Sequence, residues 1–248
     1  MKIIINGAMG RMGKEVLRLL CEHYRGAELA AAVDPFGEPN EEAKTYRALG
    51  DFQGDADCIV DFSSHAATGV LCEYAKARKL PLVIATTGQT EEELAMIHEA
   101  ARQIPVFFSA NMSLGIALLA ELAKTAAKML PDADIEIIEK HHNRKLDAPS
   151  GTALLLAGEI KGVREEAEYV FGRSGQHKRE PEEIGIHAVR LGNIVGEHEV
   201  ILATDTQVIT LKHEAQSRSL FAEGAIAAAA FLCGVPNGIY NMKDMINR

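Results

Sequence analysis

The stretch KIIINGAMGRMG, residues 2–13, decides the fold. Lys2–Asn6 is a short β-branched run without polar alternation, the pattern of a strand buried on both faces. Gly7, Gly10 and Gly13 follow at once, and a helical pattern runs on from Lys14 to Tyr24. A strand-to-helix turn needs small residues when it must be tight, approach a pyrophosphate with its backbone, and pack its helix closely on the sheet. The helix opening offers unbonded N–H groups and a positive dipole end to phosphates. Arg11 adds a formal positive charge beside them. The spacing, GxxGxxG, departs from the usual GxGxxG: Ala8 stands where that pattern has its first glycine.

Outward from this loop, ELAAAVD (28–34) reads as a second strand that closes on Asp34. A carboxylate there can accept both ribose hydroxyls of NAD. Pro35 follows where an arginine would favour the extra phosphate of NADP, so the pattern predicts NADH as the preferred cofactor over NADPH. DCIVDFS (57–63), a helix over about 66–78, PLVIATT (81–87), a helix with Thr90 as N-cap and Glu93 three residues later, and PVFFSAN (105–111) continue the alternation. Strands alternating with helices at this period predict a Rossmann-like, doubly wound parallel sheet in an α/β fold.

The texture changes after Asn111. A helix over 114–130 ends at Pro131, DIEIIEKHH reads as a strand with alternating faces, and a short helix follows DAPSGT. A charged loop over 164–183 precedes three strand candidates, 184–190, 194–202 and 207–212, with no helices between them. They predict a second, α+β domain with a mixed or antiparallel sheet. An Ala-rich helix, 220–233, is expected to return to the first domain. The division expected is 1–112 with 218–248 as a dinucleotide-binding domain, and 113–217 as a domain for substrate binding and tetramerisation.

Composition removes other classes. The 248 residues carry a formal charge of −9, which repels phosphate backbones and anionic membranes, so no nucleic-acid or membrane partner is expected. With no Trp and few aromatics there is no stacking platform for single strands. Cys21, Cys58, Cys72 and Cys233 form no CxxC pair and read as reduced core thiols. The apolar run near the N-terminus is too short for a signal peptide, and that around 225–233 is about half of a membrane span. A cytoplasmic protein is expected.

KHHNRK, residues 140–145, places three positive charges and two histidines together in this acidic chain. It leads directly into LDAPSGTALLLAGEI. Ser150 is a good N-cap, and Gly151 and Thr152 fall in a first helical turn whose N–H groups lack intrahelical partners. Beside Lys145 and the histidines, such an opening can hold a carboxylate, and the expected guest is a small dicarboxylate. A charge run is more usually a solvated face, and Ser150 alone would be ordinary capping. Adjacent histidines on a strand point to opposite faces, so no metal is expected at His141, His142 and Asp147. The Gly196–Glu199 segment reads as structural.

Together these segments resemble the dihydrodipicolinate reductase family, over nearly the whole chain. NGAMGRMG resembles its cofactor loop, and VIATTGQT its GTTG segment, with Ala85 where Gly is usual. FSANMSLG resembles its AxN-S-G segment. EIIEKHHNRKLDAPSGTAL and IGIHAVRLGNIVGEHEVILA resemble two longer signatures. The resemblance implies NAD(P)H-dependent reduction of a cyclic dicarboxylate, with loss of water, in diaminopimelate and lysine biosynthesis. It implies His141 as proton donor or acceptor and Lys145 as proton donor. It places His142, Gly151 and Thr152 on the substrate carboxylates. It implies cofactor contacts from Gly7, Ala8, Met9, Gly10, Arg11, Met12 and Asp34, from Ala85, Thr86 and Thr87, and from Ser109, Ala110, Asn111 and Met112. It further implies a homotetramer formed through the central sheet. Two rivals share the glycine loop: another two-domain NAD(P)-dependent reductase of the aspartate or homoserine dehydrogenase type, and a non-catalytic NADH sensor. The first has no need of HHNRK next to PSGT, and the second lacks an obvious helix-turn-helix for DNA.

Overall fold

The computed structural model describes residues 1–247 and divides into two compact units. One is Met1–Ser113 together with the chain from Arg218 onward; the other is Leu114–Ser217.

The first unit is built on strands β1 (Lys2–Asn6), β2 (Glu28–Val33), β3 (Thr45–Tyr46), β4 (Cys58–Asp61), β5 (Leu82–Ile84), β6 (Pro105–Phe108) and β12 (Gly238–Tyr240). They form one parallel sheet in the order β12-β6-β5-β4-β1-β2-β3. Helices α1 (Arg11–Cys21), α2 (Thr68–Arg78), α3 (Glu91–Ala101), α6 (Ser219–Leu232) and the short α7 (Met242–Ile246) accompany it. Ile4, Ile59, Leu82 and Ile84 of the strands pack with Leu71 and Cys72 of α2 and Ile97 of α3 in one core. α6 covers β4, β5 and β6, with its Phe231 ring edge-on to Phe107. Its Ala-rich composition permits close approach: a Cβ on Gly224 would overlap the carbonyl of Met112. The strand order reverses at β1/β4, and open α/β sheets bind ligands at the carboxyl ends of the strands flanking such a switch point. The pairing of β12 and the two-residue β3 were not anticipated from sequence; both are too short to carry a periodic signal.

The second unit contains helices α4 (Leu114–Met129) and α5 (Gly151–Lys161). Its strands are β7 (Asp134–His141), β8 (Glu168–Phe171), β9 (Glu183–Arg190), β10 (Gly196–Thr204) and β11 (Gln207–Ala215). The sheet runs β11-β10-β7-β9-β8 and is mixed. β10 is antiparallel to β7 and β11, whereas β7 and β8 are both parallel to β9. β8 falls inside the stretch expected to be a charged loop; its four residues, EYVF, pair with β9 in spite of their polar flanks. α4 and α5 pack together, and their Leu119, Ala123, Leu156 and Ile160 join Ile135, Ile137, Ile184, Val200 and Leu202 in the core. Among the described residues no helix is long and apolar enough to cross a membrane.

Candidate functional site

Residues expected to act group into two sets, one in each unit.

In the first unit the chain leaves β1 at Asn6 and turns through Gly7, whose φ of +82° lies in the region that favours glycine. A Cβ on Gly7 would lie 2.7 Å from the backbone of Phe62 and Ser63, and one on Gly13 would overlap the carbonyl of Gly7. Helix α1 therefore sits directly on the loop, as close helix–sheet packing at a nucleotide site requires. Its first turn takes in Arg11, where sequence periodicity suggested a start near Lys14. Gly10 caps it without a side-chain hydrogen bond, whereas Thr90 caps α3 and Ser150 caps α5 with their hydroxyls. No capping side chain competes with an anion at this helix opening.

Asp34 is buried at the end of β2 and ties the loop down: Oδ2 accepts the Met9 amide at 2.9 Å and Oδ1 the Phe36 amide at 3.0 Å. The anticipated ribose carboxylate is thus also the clamp of the glycine loop. A pocket beside the loop is lined by Arg11 and Met12, by Ala85 and Thr87 after β5, by Ala110 and Met112 after β6, and by Arg218 and Phe221 of the α6 entry. Thr86 turns the other way. Its hydroxyl donates to the Asp61 carboxylate at 3.1 Å and is buried. Ser109 and Asn111 are engaged with each other through the Ser109 hydroxyl, which donates to the Asn111 carbonyl at 2.8 Å. Asn111 Oδ1 accepts the Ser113 amide at 2.8 Å.

Three residues here escaped the sequence reading. Arg218 and Phe221 lie far along the chain from every loop motif. Asp61 is fully buried and receives Asn6 Nδ2 at 2.7 Å and Ser63 Oγ at 2.6 Å as well as Thr86. It thereby joins the ends of β1, β4 and β5. Burial pushes its carboxyl up, and the hydrogen bonds from Ser63, Asn6 and Thr86 oppose that rise. Its signal in the sequence is a carboxylate closing the otherwise apolar strand CIVD.

In the second unit, β7 alternates. Ile135, Ile137, Glu139 and His141 share the buried face, and on β10 Gly196, His198, Val200 and Leu202 share theirs. The face that begins apolar ends polar. Register places His198 opposite Glu139, and His141 opposite Arg190 at the end of β9. Glu139 has no exposed surface and accepts four donors. Its Oε2 receives His141 Nδ1 at 2.6 Å and Arg190 Nη1 at 2.7 Å; its Oε1 receives Arg190 Nη2 at 2.7 Å and the Ser150 amide at 3.0 Å. Burial pushes its pKa up, but the bonds from His141, Arg190 and Ser150 outweigh that and bring it down to about 2. Ser150 Oγ lies 3.1 Å from His198 Nε2 and accepts the Ala153 amide at 3.2 Å. The His141 and His198 rings meet edge to face with centroids 5.2 Å apart.

Of the predicted residues, the structure brings His141 and Ser150 together through Glu139, with Gly151 and Thr152 opening α5 beside them. Lys145 pairs with Asp147 at 2.8 Å on the loop between β7 and α5, and its charge is felt at His198. His142 follows β7 and anchors the loop through its amide to Ile194 O at 2.8 Å.

One expectation is corrected. The KHHNRK run is not a single cationic patch: Lys140 points to the opposite face of β7 from His141 and is neutralised by Glu197 at 3.0 Å and Glu199 at 3.4 Å. The Gly196–Glu199 segment, read as structural from the sequence, packs against this cluster. His198 reaches the cluster, and a Cβ on Gly196 would lie 3.1 Å from His141 Nε2. Glu139 and His198 were legible only by counting alternate residues along DIEIIEKH and GEHEVILA and noticing polar groups on the apolar face; Arg190, the last residue of EIGIHAVR, lies outside both stretches. Among the described residues no group of three His, Cys, Asp or Glu could hold a metal ion.

Residues 1–112 match the family described as dihydrodipicolinate reductase, N-terminus, and residues 115–246 the one described as dihydrodipicolinate reductase, C-terminus. The chain is 50% identical, over all of its length and 98% of the relative's, to the 4-hydroxy-tetrahydrodipicolinate reductase of Caldanaerobacter subterraneus subsp. tengcongensis. It is 46% identical to that of Clostridium tetani, covering 99% of this chain and 97% of the other. Among solved structures, a dipicolinate-bound dihydrodipicolinate reductase from Paenisporosarcina sp. TG-14 shares the fold, with a TM-score of 0.81, 24% identity and 98% of both chains covered.

Proposed function

The chain belongs to the dihydrodipicolinate reductase family, and from that we propose that it reduces 4-hydroxy-tetrahydrodipicolinate to tetrahydrodipicolinate with NAD(P)H in diaminopimelate and lysine biosynthesis. The reaction releases water overall. The observation that carries this reading to particular residues is the polar end of the second sheet, where His141, Glu139, His198 and Ser150 meet at the opening of α5.

The first unit is the dinucleotide-binding domain and the second the substrate domain. The uncapped opening of α1, the tight glycine loop and Arg11 fit a pyrophosphate. Asp34 fits a ribose, and the pocket lined by Ala85, Thr87, Ala110 and Met112 adjoins them. Bound there, the reduced nicotinamide supplies the hydride. Pro35 and the absence of an arginine at that position support NADH over NADPH.

In the second unit, the first-turn amides of Gly151 and Thr152, with His142 and Lys145, hold the carboxylates of the cyclic substrate. Loss of the ring hydroxyl with a proton from the neighbouring carbon, as water, would leave a conjugated imine; hydride from a bound nicotinamide would add to the carbon that bore the hydroxyl, and the resulting enamine would need a proton on carbon. His141 or Lys145 is the positioned acid. Positive charge from Lys145 also offsets negative charge that develops on the ring.

The enzyme is a cytoplasmic homotetramer in this reading, assembled through the five-stranded sheet. β11 is one of its two edge strands, and Val208 and Ile209 lie exposed on it. Light scattering after gel filtration measures the mass; a monomer would refute the assembly.

The direct test condenses pyruvate with aspartate semialdehyde through the upstream synthase and follows NADH and NADPH consumption. Turnover is expected with both and more efficiently with NADH. Lys145→Ala and His141→Gln are each expected to lower turnover by about 100-fold or more while leaving the fold intact. Near-normal turnover in either variant removes that residue from the chemistry.

A further inference from the structure

The proposed function uses His141 but leaves its neighbours Glu139 and Arg190 without a role. Neither is needed for the core: Glu139 replaces an apolar side chain on the inner face of β7, two residues beyond Ile137. A fully buried carboxylate costs stability unless its lone pairs are all engaged, and here they are. Arg190 grips both oxygens end-on, through Nη1 and Nη2 at 2.7 Å each, a bidentate geometry that fixes the carboxylate in orientation. The remaining acceptor directions take the His141 ring and the Ser150 amide. The same guanidinium donates to the Asp147 carbonyl at 2.7 Å, on the loop that carries Lys145.

We infer that Glu139, clamped by Arg190, is a positioning residue that keeps a proton on His141 Nδ1 and so presents Nε2 as the nitrogen that exchanges protons with substrate. The inference rests on the reading of His141 as an acid–base group. An ionised carboxylate can only accept, so the nitrogen 2.6 Å from it must be the donor. Imidazole has one other nitrogen. Nε2 points toward Gly196, where a Cβ would stand 3.1 Å away, so the missing side chain leaves that nitrogen its room. With Nδ1–H fixed, Nε2 carries the lone pair in the neutral ring and the transferable proton in the cation. Both protonation states keep the bond to Glu139, so the ring does not turn over when its charge changes. The Ser150 amide on the same carboxylate ties the ring to the opening of α5, where the substrate carboxylate is proposed to sit. The charged and titratable groups that meet the ring are Glu139 on β7 and His198 on β10, with Arg190 of β9 behind Glu139; Lys145 and Asp147 pair on the following loop, Lys145 acting on His198.

The experiment uses the full-length enzyme labelled with ¹⁵N-histidine, with His141 assigned by loss of its signal in His141→Gln. Long-range ¹H–¹⁵N correlation of the wild type at neutral pH is expected to show a protonated Nδ1 and, in the neutral ring, a bare Nε2. A neutral ring protonated on Nε2, or an even mixture of tautomers, overturns the inference, and this measurement needs no variant that might fail to fold. In Glu139→Gln, kcat is expected to fall about 100-fold or more, with KM and the NADH Kd within about three-fold of wild type. Arg190→Lys, which keeps the charge but not the fork, is expected to show a smaller loss of the same kind. Wild-type kcat in Glu139→Gln with its His141 tautomer unchanged also overturns the inference. Failure of the underlying reading is distinguishable: it appears as normal turnover in His141→Gln.

Discussion

His198 sits on the inner face of β10, 4% exposed, with Nε2 3.1 Å from Ser150 Oγ and its ring edge to face with His141. Burial, followed by the neighbouring His141, His213 and Lys145, pushes its pKa down to about 4, against an opposing pull from Glu139. The unfolded chain keeps the ordinary value of about 6.5, so between these two values the unfolded state binds the proton and the folded state does not. Stability from this group is therefore complete above the unfolded pKa and is lost as pH falls through it towards the folded one. Integrating the linkage gives a loss of about 2 kcal/mol by pH ~5 and about 3 kcal/mol by pH ~4, relative to pH ~7.5. His198→Gln removes the titration while its amide can still meet the Ser150 hydroxyl. Urea unfolding followed by far-ultraviolet circular dichroism at pH ~7.5, ~6 and ~5 should show the wild type losing about 2 kcal/mol more than the variant across the range. Proton NMR of the ring Cε1–H should place its titration near the depressed value. Parallel losses in the two proteins, or a ring that titrates at about 6 or above, would refute the reasoning.

Further outcomes follow from single contacts. Gly13→Ala would drive a methyl group into the Gly7 carbonyl and is expected to cost about 1–3 kcal/mol and to weaken NADH binding, measured by thermal melting and by cofactor fluorescence. Asp34→Ala frees the amides of Met9 and Phe36 and removes the ribose acceptor, so the NADH Kd should rise about tenfold or more by calorimetric titration. An unchanged Kd would show that the carboxylate serves the loop alone. Arg164 donates to the carbonyls of Ala127, Leu130 and Ala133 at the end of α4, and Arg164→Met is expected to lower stability by about 1–3 kcal/mol without changing kcat.

Residues 2–13 and the alternation that follows them were enough to establish a doubly wound sheet, because buried parallel strands and glycine turns leave local marks. The same holds for Ser150, Gly151 and Thr152, since helix capping is a matter of neighbours in sequence. His141 and Lys145 stood out for the same reason, as charged residues in one short segment. Tertiary structure alone decided which of those residues meet. Lys140 and His141 are adjacent in the chain, yet the pleat sends one to Glu197 and the other to Glu139. Glu139, Arg190 and His198 come from three strands whose register no local pattern encodes, Arg190 lying 51 positions beyond Glu139 and His198 further still. A one-residue slip would turn every one of them to the other face. Strand register is set by the whole buried face at once, so the polar cluster at its end exists only in the folded sheet.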